Sequence, residues 1–222
     1  MESRVVPTLR DKKQPEARAG TNGYDDGYAA CPCFWGTEPG SLVRDLVSRV
    51  GSVRGWRILD VGCGEGKNAD YLWRLGAEVT GVEASSLALE NAKRAFPSSG
   101  VHWCHADVRN EKFERHAYDL VLAYGLFHCL ADEDEVRSII GVLREATKPG
   151  GRHVVCAFND RFQELSAHPG FRPCLVPHAT YTSLYADWEI EVLSDADLRE
   201  THPHNGIDHI HSMTRLIARQ NR

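Results

Sequence analysis

One run constrains this chain more than any other: Arg57-Ile-Leu-Asp-Val-Gly-Cys-Gly-Glu-Gly-Lys67, an apolar segment that leads into three glycines at every second position. Glycine lacks a Cβ and tolerates positive φ, so a strand entering such a turn and then a helix brings bare backbone N–H groups against a ligand. The dinucleotide fingerprint needs a further glycine three places after the second one. Lys67 stands there, and Asp60 precedes the glycines inside the turn.

From Trp56 onward, strand and helix patterns alternate, as parallel strands with helical crossovers require. Strands are expected near 56–61, 78–83, 101–106, 118–124 and 152–158, with two more over 188–193 and 213–218. Between them lie helical patterns over 68–75, 87–95 (capped by Ser85 or Ser86), 133–147 and 178–186. Ahead of them, Leu42, Val43, Leu46, Val47 and Val50 form one helical stripe. Lys148-Pro-Gly-Gly151 reads as a break before the fifth strand.

The length of 222 residues suits one domain with a full core. Residues 1–22 read as a mobile arm and 23–222 as a single domain. Within it, 24–52 is an acceptor-side cap, 56–158 a cofactor-binding half and 159–222 an acceptor-side half. Lys and Arg number 26 against 31 Asp and Glu, a net charge of −5 without a basic block, which argues against nucleic acid as a partner. The first twenty residues lack the apolar core of a secretory signal and no window approaches a membrane span, so a cytoplasmic location without membrane partners is expected. Seven cysteines, most inside strand-like segments, read as reduced thiols.

Leu59-Asp-Val-Gly-Cys-Gly-Glu-Gly66 after an apolar strand resembles motif I of the class I S-adenosylmethionine-dependent methyltransferases. Three further marks follow in order. Glu83 ends the second strand, where doubly wound folds place an acid for ribose hydroxyls. Cys104-His-Ala-Asp107-Val108 is similar to the family's adenine-contacting segment, and Lys-Pro-Gly-Gly at 148–151 to the break before its fifth strand. The resemblance implies an α/β, Rossmann-like sheet of seven strands in the order 3-2-1-4-5-7-6, strand 7 antiparallel, with helices on both faces. It implies S-adenosyl-L-methionine as cofactor, held by Asp60, Gly62, Cys63, Gly64, Glu83, Ala84, Asp107, Val108, Ala123 and Trp35. Plainer accounts exist for each acid: a surface position for Glu83, a turn or cap for Asp107, and bonding to the loop's own amides for Asp60.

Methyl transfer needs a nucleophile held in line and its proton removed or excluded, which turns attention to the 11 histidines. Four crowd into Thr201-His202-Pro-His204-Asn-Gly-Ile-Asp-His209-Ile-His211. His209 and His211, two apart, share one face of an extended segment, and His204 could join them through the Gly206 turn. His209, His211, His128 and His204 are the catalytic candidates; exposed loop positions or backbone-bonded core groups are the bland alternative. With Phe34-Trp35-Gly36-Thr-Glu38-Pro39, the histidine segment resembles the tellurite-resistance and thiopurine-type subgroup, which implies that both face the acceptor. Tyr24, Tyr28, Phe34 and Trp35 suit an aromatic lid over a sulfonium. Cys31 and Cys33 with these histidines supply soft ligand types, but Cys-Pro-Cys is not a usual zinc spacing and no metal is assigned.

The expected function is methyl transfer to a nitrogen, sulfur or oxygen of a small-molecule acceptor by a monomer or homodimer. The alternatives are a thiol, arsenical or metalloid acceptor, a non-methylating enzyme that uses the same cofactor, or a regulatory binding protein.

Overall fold

The strand and helix alternation folds into one sheet of seven strands in the order β3-β2-β1-β4-β5-β7-β6, as expected. The computed structural model describes residues 24–168, 170–202 and 206–221; the arm expected over 1–22 lies outside them. Strands β1 (Arg57–Val61), β2 (Glu78–Glu83), β3 (His102–His105), β4 (Tyr118–Tyr124) and β5 (Thr147–Gln163) run parallel, and β7 (Asp208–Arg219) is antiparallel to both β5 and β6 (Glu189–Thr201).

Side-chain alternation along β1 and β4 divides the core between two faces. Leu59, Val61 and Val121 pack with Val136, Ile140 and Leu143 of α5 (Glu133–Ala146) and with Tyr181 of α6 (His178–Leu184). Ile58, Leu120 and Leu122 pack instead against Leu42, Val43 and Leu46 of α2 (Ser41–Val50) and Leu72 of α3 (Lys67–Arg74). The helix α4 (Ser86–Ala95) starts at Ser85, whose hydroxyl accepts the Ala88 N–H at 3.1 Å.

Three segments depart from the sequence expectation. Lys148-Pro-Gly-Gly151 does not precede β5 but interrupts its pairing: Tyr118 pairs with Thr147 and the register resumes at Leu120 with Arg152. The strands β5, β6 and β7 run well past their apolar stretches, because antiparallel pairing across β7 gives their polar ends hydrogen-bond partners. A first helix, α1 (Tyr24–Ala30), forms where the polar sequence gives no periodic signal. Among the described residues no helix is long and apolar enough to cross a membrane.

Candidate active site

The glycine loop is held in place from beneath. The Gly62 and Cys63 N–H groups both donate to the Val82 carbonyl, at 2.8 and 3.1 Å, tying the end of β1 to β2. Glu83 then fixes the loop with its side chain: Oε2 accepts the Gly64 N–H and Oε1 the Ser85 N–H, each at 2.9 Å. A carboxylate oxygen has two lone pairs, so both retain one for a ligand. Burial raises the Glu83 pKa above the usual carboxylate range. At Gly66, φ is +81° and a Cβ would sit 2.4 Å from the Trp103 ring, so only glycine fits where α3 begins.

Asp60 is buried, and its Oδ2 has no hydrogen-bond partner among the described residues. Desolvation, reinforced by the nearby Glu83 charge, pushes it up to about 8, so it is neutral at pH 7. Loop amides therefore do not account for Oδ2. Asp107 lies just past β3, where Arg109 grips both carboxylate oxygens and its own N–H completes a tight turn. Those bonds hold the Asp107 carboxyl below its ordinary range.

Beyond the carboxyl ends of β1 to β4 opens a cavity of about 270 Å³. Asp60, Gly62, Cys63, Gly64, Glu83, Ala84, Asp107, Val108 and Trp35 line it, which brings together all but one of the residues expected to hold the cofactor. The exception is Ala123. The β4 alternation turns it to the same face as Val121, into the core beneath α5, and it does not line the cavity.

An N-terminal cap closes one side, fastened by hydrogen bonds that its sequence does not advertise. Asp25 accepts the Ser85 hydroxyl at 2.6 Å, and the Tyr28 carbonyl accepts Asn91 Nδ2 at 3.0 Å. The Cys33 N–H donates to Glu65 Oε1 at 2.8 Å, Lys67 Nζ to the Trp35 carbonyl at 2.7 Å, and the Gly40 N–H to Asn68 Oδ1 at 2.8 Å. Lys67, Glu65 and Asn68 thus use the start of α3 to hold the aromatic lid. The Tyr24 and Trp35 rings meet edge to face at 5.5 Å and both line the cavity. Cys31 and Cys33 do not line it.

The far wall consists of aromatic rings and one acid. His128 lines the cavity, stacked on Phe158 at 4.0 Å. Its Nδ1 accepts the Phe158 N–H at 3.1 Å, which places the ring proton on Nε2, 3.2 Å from the Tyr24 hydroxyl. Desolvation and the nearby His211 and His168 lower the His128 pKa to about 3. An imidazole so neutral and so bonded positions Tyr24 rather than removing a proton.

His209 and His211 share one face of β7 as their spacing predicts, yet neither lines the cavity. That face of β7 is covered, so both rings are buried beside His168, and His211 stacks on Phe158 at 4.1 Å. Burial and the neighbouring imidazoles lower the His211 pKa to about 3. His204 lies outside the described residues. What reaches the cavity is Glu200, which pairs with His209 across the β6–β7 ladder and lies 3.6 Å from His209 Nε2 and 3.7 Å from His211 Nε2. Sequence reading missed Glu200; the signal for it was two period-two pairs, Glu200-x-His202 and His209-x-His211, on strands joined by a hairpin.

Residues 58–151 match a family model described as a methyltransferase domain. An uncharacterized methyltransferase of Mycobacterium tuberculosis (strain ATCC 25618 / H37Rv) is 32% identical over 101 residues, 46% of this chain and 50% of that protein. The O-methyltransferase cnsE of Penicillium expansum is 30% identical over 177 residues, 72% of this chain and 60% of that protein. The chain thus spans about half to three-fifths of the length of these curated relatives. Among solved structures, TehB from Haemophilus influenzae superposes with a TM-score of 0.67 at 20% identity, covering 81% of this chain and 61% of that one. The 1,6-didemethyltoxoflavin-N1-methyltransferase of Burkholderia thailandensis, with bound 1,6-didemethyltoxoflavin and S-adenosylhomocysteine, gives 0.60 at 19% identity, covering 90% and 81%. The strand order and the glycine loop accord with that domain match over residues 58–151, and the fold is similar to that of S-adenosylmethionine-dependent methyltransferases.

Proposed function

We propose that this protein transfers a methyl group from S-adenosylmethionine to a nitrogen, sulfur or oxygen of a small-molecule acceptor. The observation that carries the reading is a single cavity with two chemically distinct ends: a glycine cradle with Glu83 and Asp107 at one end, and Tyr24, Trp35, His128, Phe158 and Glu200 at the other. Relatives and neighbours whose names describe O- and N-methylation support the class of reaction and leave the acceptor atom open between them.

The residues present fit the cofactor. Glu83 keeps a lone pair on each oxygen for ribose hydroxyls, Asp107 and Val108 stand where an adenine would lie, and Asp60 offers an unpartnered buried oxygen near the glycines. When bound, S-adenosylmethionine supplies an electrophilic methyl group on a sulfonium. The faces of Tyr24 and Trp35 suit that cation and exclude water from it.

At the acceptor end, the His128 Nε2–H donates to the Tyr24 oxygen, and the Tyr24 hydroxyl has the Cys129 thiol as its hydrogen-bond neighbour until an acceptor competes for its proton. Burial raises the Tyr24 pKa well above its ordinary value, so this hydroxyl acts as a donor that orients the acceptor. Glu200 faces the same space as an acceptor of hydrogen bonds. The test is calorimetric titration with S-adenosylhomocysteine, followed by a screen of amines, phenols and thiols for acceptor-dependent S-adenosylhomocysteine formation. Binding plus turnover supports the reading; binding with S-adenosylmethionine consumed but no S-adenosylhomocysteine formed points to a non-methylating use of the cofactor.

A further inference from the structure

Behind the acceptor wall, four side chains from three separate segments converge on one point. His168 comes from the loop after β5, Glu200 and His202 from the end of β6, and His209 from β7; one donor atom from each lies within 4.8 Å of all the others. We propose that this cluster is a divalent-metal site built for zinc, with three imidazole Nε2 atoms and the Glu200 carboxylate as ligands.

The geometry is close to that of a loaded site. Zinc–nitrogen bonds of 2.0–2.1 Å put neighbouring ligands of a tetrahedron about 3.3 Å apart. His168 Nε2 lies 3.3 Å from His209 Nε2 and 3.2 Å from His202 Nε2. Glu200 Oε1 lies 3.6 Å from His209 Nε2 and 3.9 Å from His202 Nε2. His168, His202 and His209 are all buried, as ligands of a closed site are.

Tautomers settle which atoms are lone pairs. His209 Nδ1 is 2.8 Å from the Ile207 carbonyl, which only accepts, so Nδ1 carries the proton and Nε2 presents a lone pair to the cluster. A metal-ligating histidine typically donates its other N–H to a carbonyl or carboxylate in this way. His211 repeats the arrangement one step along β7. Its Nδ1 faces Gln163 Oε1 at 2.8 Å, and Gln163 is oriented by its own amide N–H donations to the Asn159 and Ser212 carbonyls. His211 Nε2 is therefore a lone pair with no partner among the described residues, 3.7 Å from Glu200 Oε1. The His209 Nε2 lone pair and the Glu200 carboxylate oxygen 3.6 Å away are both acceptors, and a cation between them resolves the conflict.

Imidazoles with one carboxylate favour zinc and its first-row neighbours over magnesium and calcium, which prefer oxygen ligands, and zinc suits the tetrahedral spacing seen here. The ion would tie His168 to the paired ends of β6 and β7. It would also fix His202, against which Phe34 stacks at 4.7 Å and Trp35 abuts edge-on at 4.9 Å. The metal would thus act as a positioning element for the acceptor wall.

The full chain, with any affinity tag removed, is stripped with a chelator and titrated with zinc against a chromophoric competitor. One zinc per chain, a raised Tm on zinc addition, and a visible absorption band typical of tetrahedral coordination with cobalt(II) are the expected results. His168→Ala, His209→Ala and Glu200→Gln should each weaken zinc binding by more than the roughly 10–100-fold typical of an outer-shell change, while His178→Ala leaves it unchanged. Retained binding of S-adenosylhomocysteine by these variants shows that they fold, and the stripped wild-type chain gives the same readout without mutation. Failure to bind zinc, or equal binding by His168→Ala and Glu200→Gln, overturns the site and leaves the cluster held by shared protons.

Discussion

The two ends of the cavity are built on different principles. The donor end is mostly backbone: Gly62, Cys63 and Gly64 are set by main-chain bonds and one carboxylate, all within the contiguous β1–β2 region. The acceptor end is entirely side chain, gathered from Tyr24, Trp35, His128, Phe158 and Glu200, which are far apart in the chain. A backbone site is specified by local sequence, because glycine spacing alone dictates it. A side-chain site exists only once the fold has brought its parts together, and can change without touching the donor end.

Four perturbations sharpen this contrast. The largest concerns Asp60. Its folded-state pKa of about 8 exceeds the usual 3.8, so its burial costs nothing below about pH 4, and stability declines as pH rises through the window from about 4 to 8. At about 1.4 kcal/mol per unit, the penalty reaches at most roughly 6 kcal/mol. Denaturant unfolding of Asp60→Asn should therefore show a flatter pH profile than wild type, and greater stability than wild type at pH 9. Gly66→Ala forces a left-handed backbone and a contact with Trp103, which should lower stability by about 3 kcal/mol and Tm by roughly 6–12 °C.

At the donor end, Glu83→Ala removes the anchor of Gly64 and, with it, the ribose contact proposed for this carboxylate. It should weaken S-adenosylhomocysteine binding by about 1.5–3 kcal/mol, roughly 10–100-fold by calorimetry. The smallest effect belongs to the acceptor end. Tyr24→Phe keeps the ring and loses the hydroxyl that His128 orients, so turnover should fall about tenfold while cofactor affinity stays unchanged. A matching loss of affinity would show that the two ends are not separable.

The same contrast explains what could be read from sequence. The parallel strands were legible from periodicity and the Asp60–Gly64 turn from glycine spacing, whereas the strand order came only with the family resemblance and Glu83 with its place at the end of the second strand. Ala123 was misassigned because an apolar residue late in a strand looks the same whether it faces a ligand or a core. His209 and His211 were found as a pair on one face, but nothing local says that this face is covered; their burial depends on His168 and Phe158, both more than forty residues away. Glu200 and the bonds by which Asp25, Glu65 and Lys67 fasten the cap were invisible for the same reason. Isolated charged residues on short segments have no spacing to betray a tertiary partner.

The central claim is that the glycine cradle and Glu83 form the donor site of one continuous cavity. Titration of the wild-type chain with S-adenosylhomocysteine tests it most directly. The account predicts one site per chain, weakened at least about tenfold by Glu83→Ala and untouched by Tyr24→Phe. No binding to the wild type, or binding indifferent to Glu83, would contradict it.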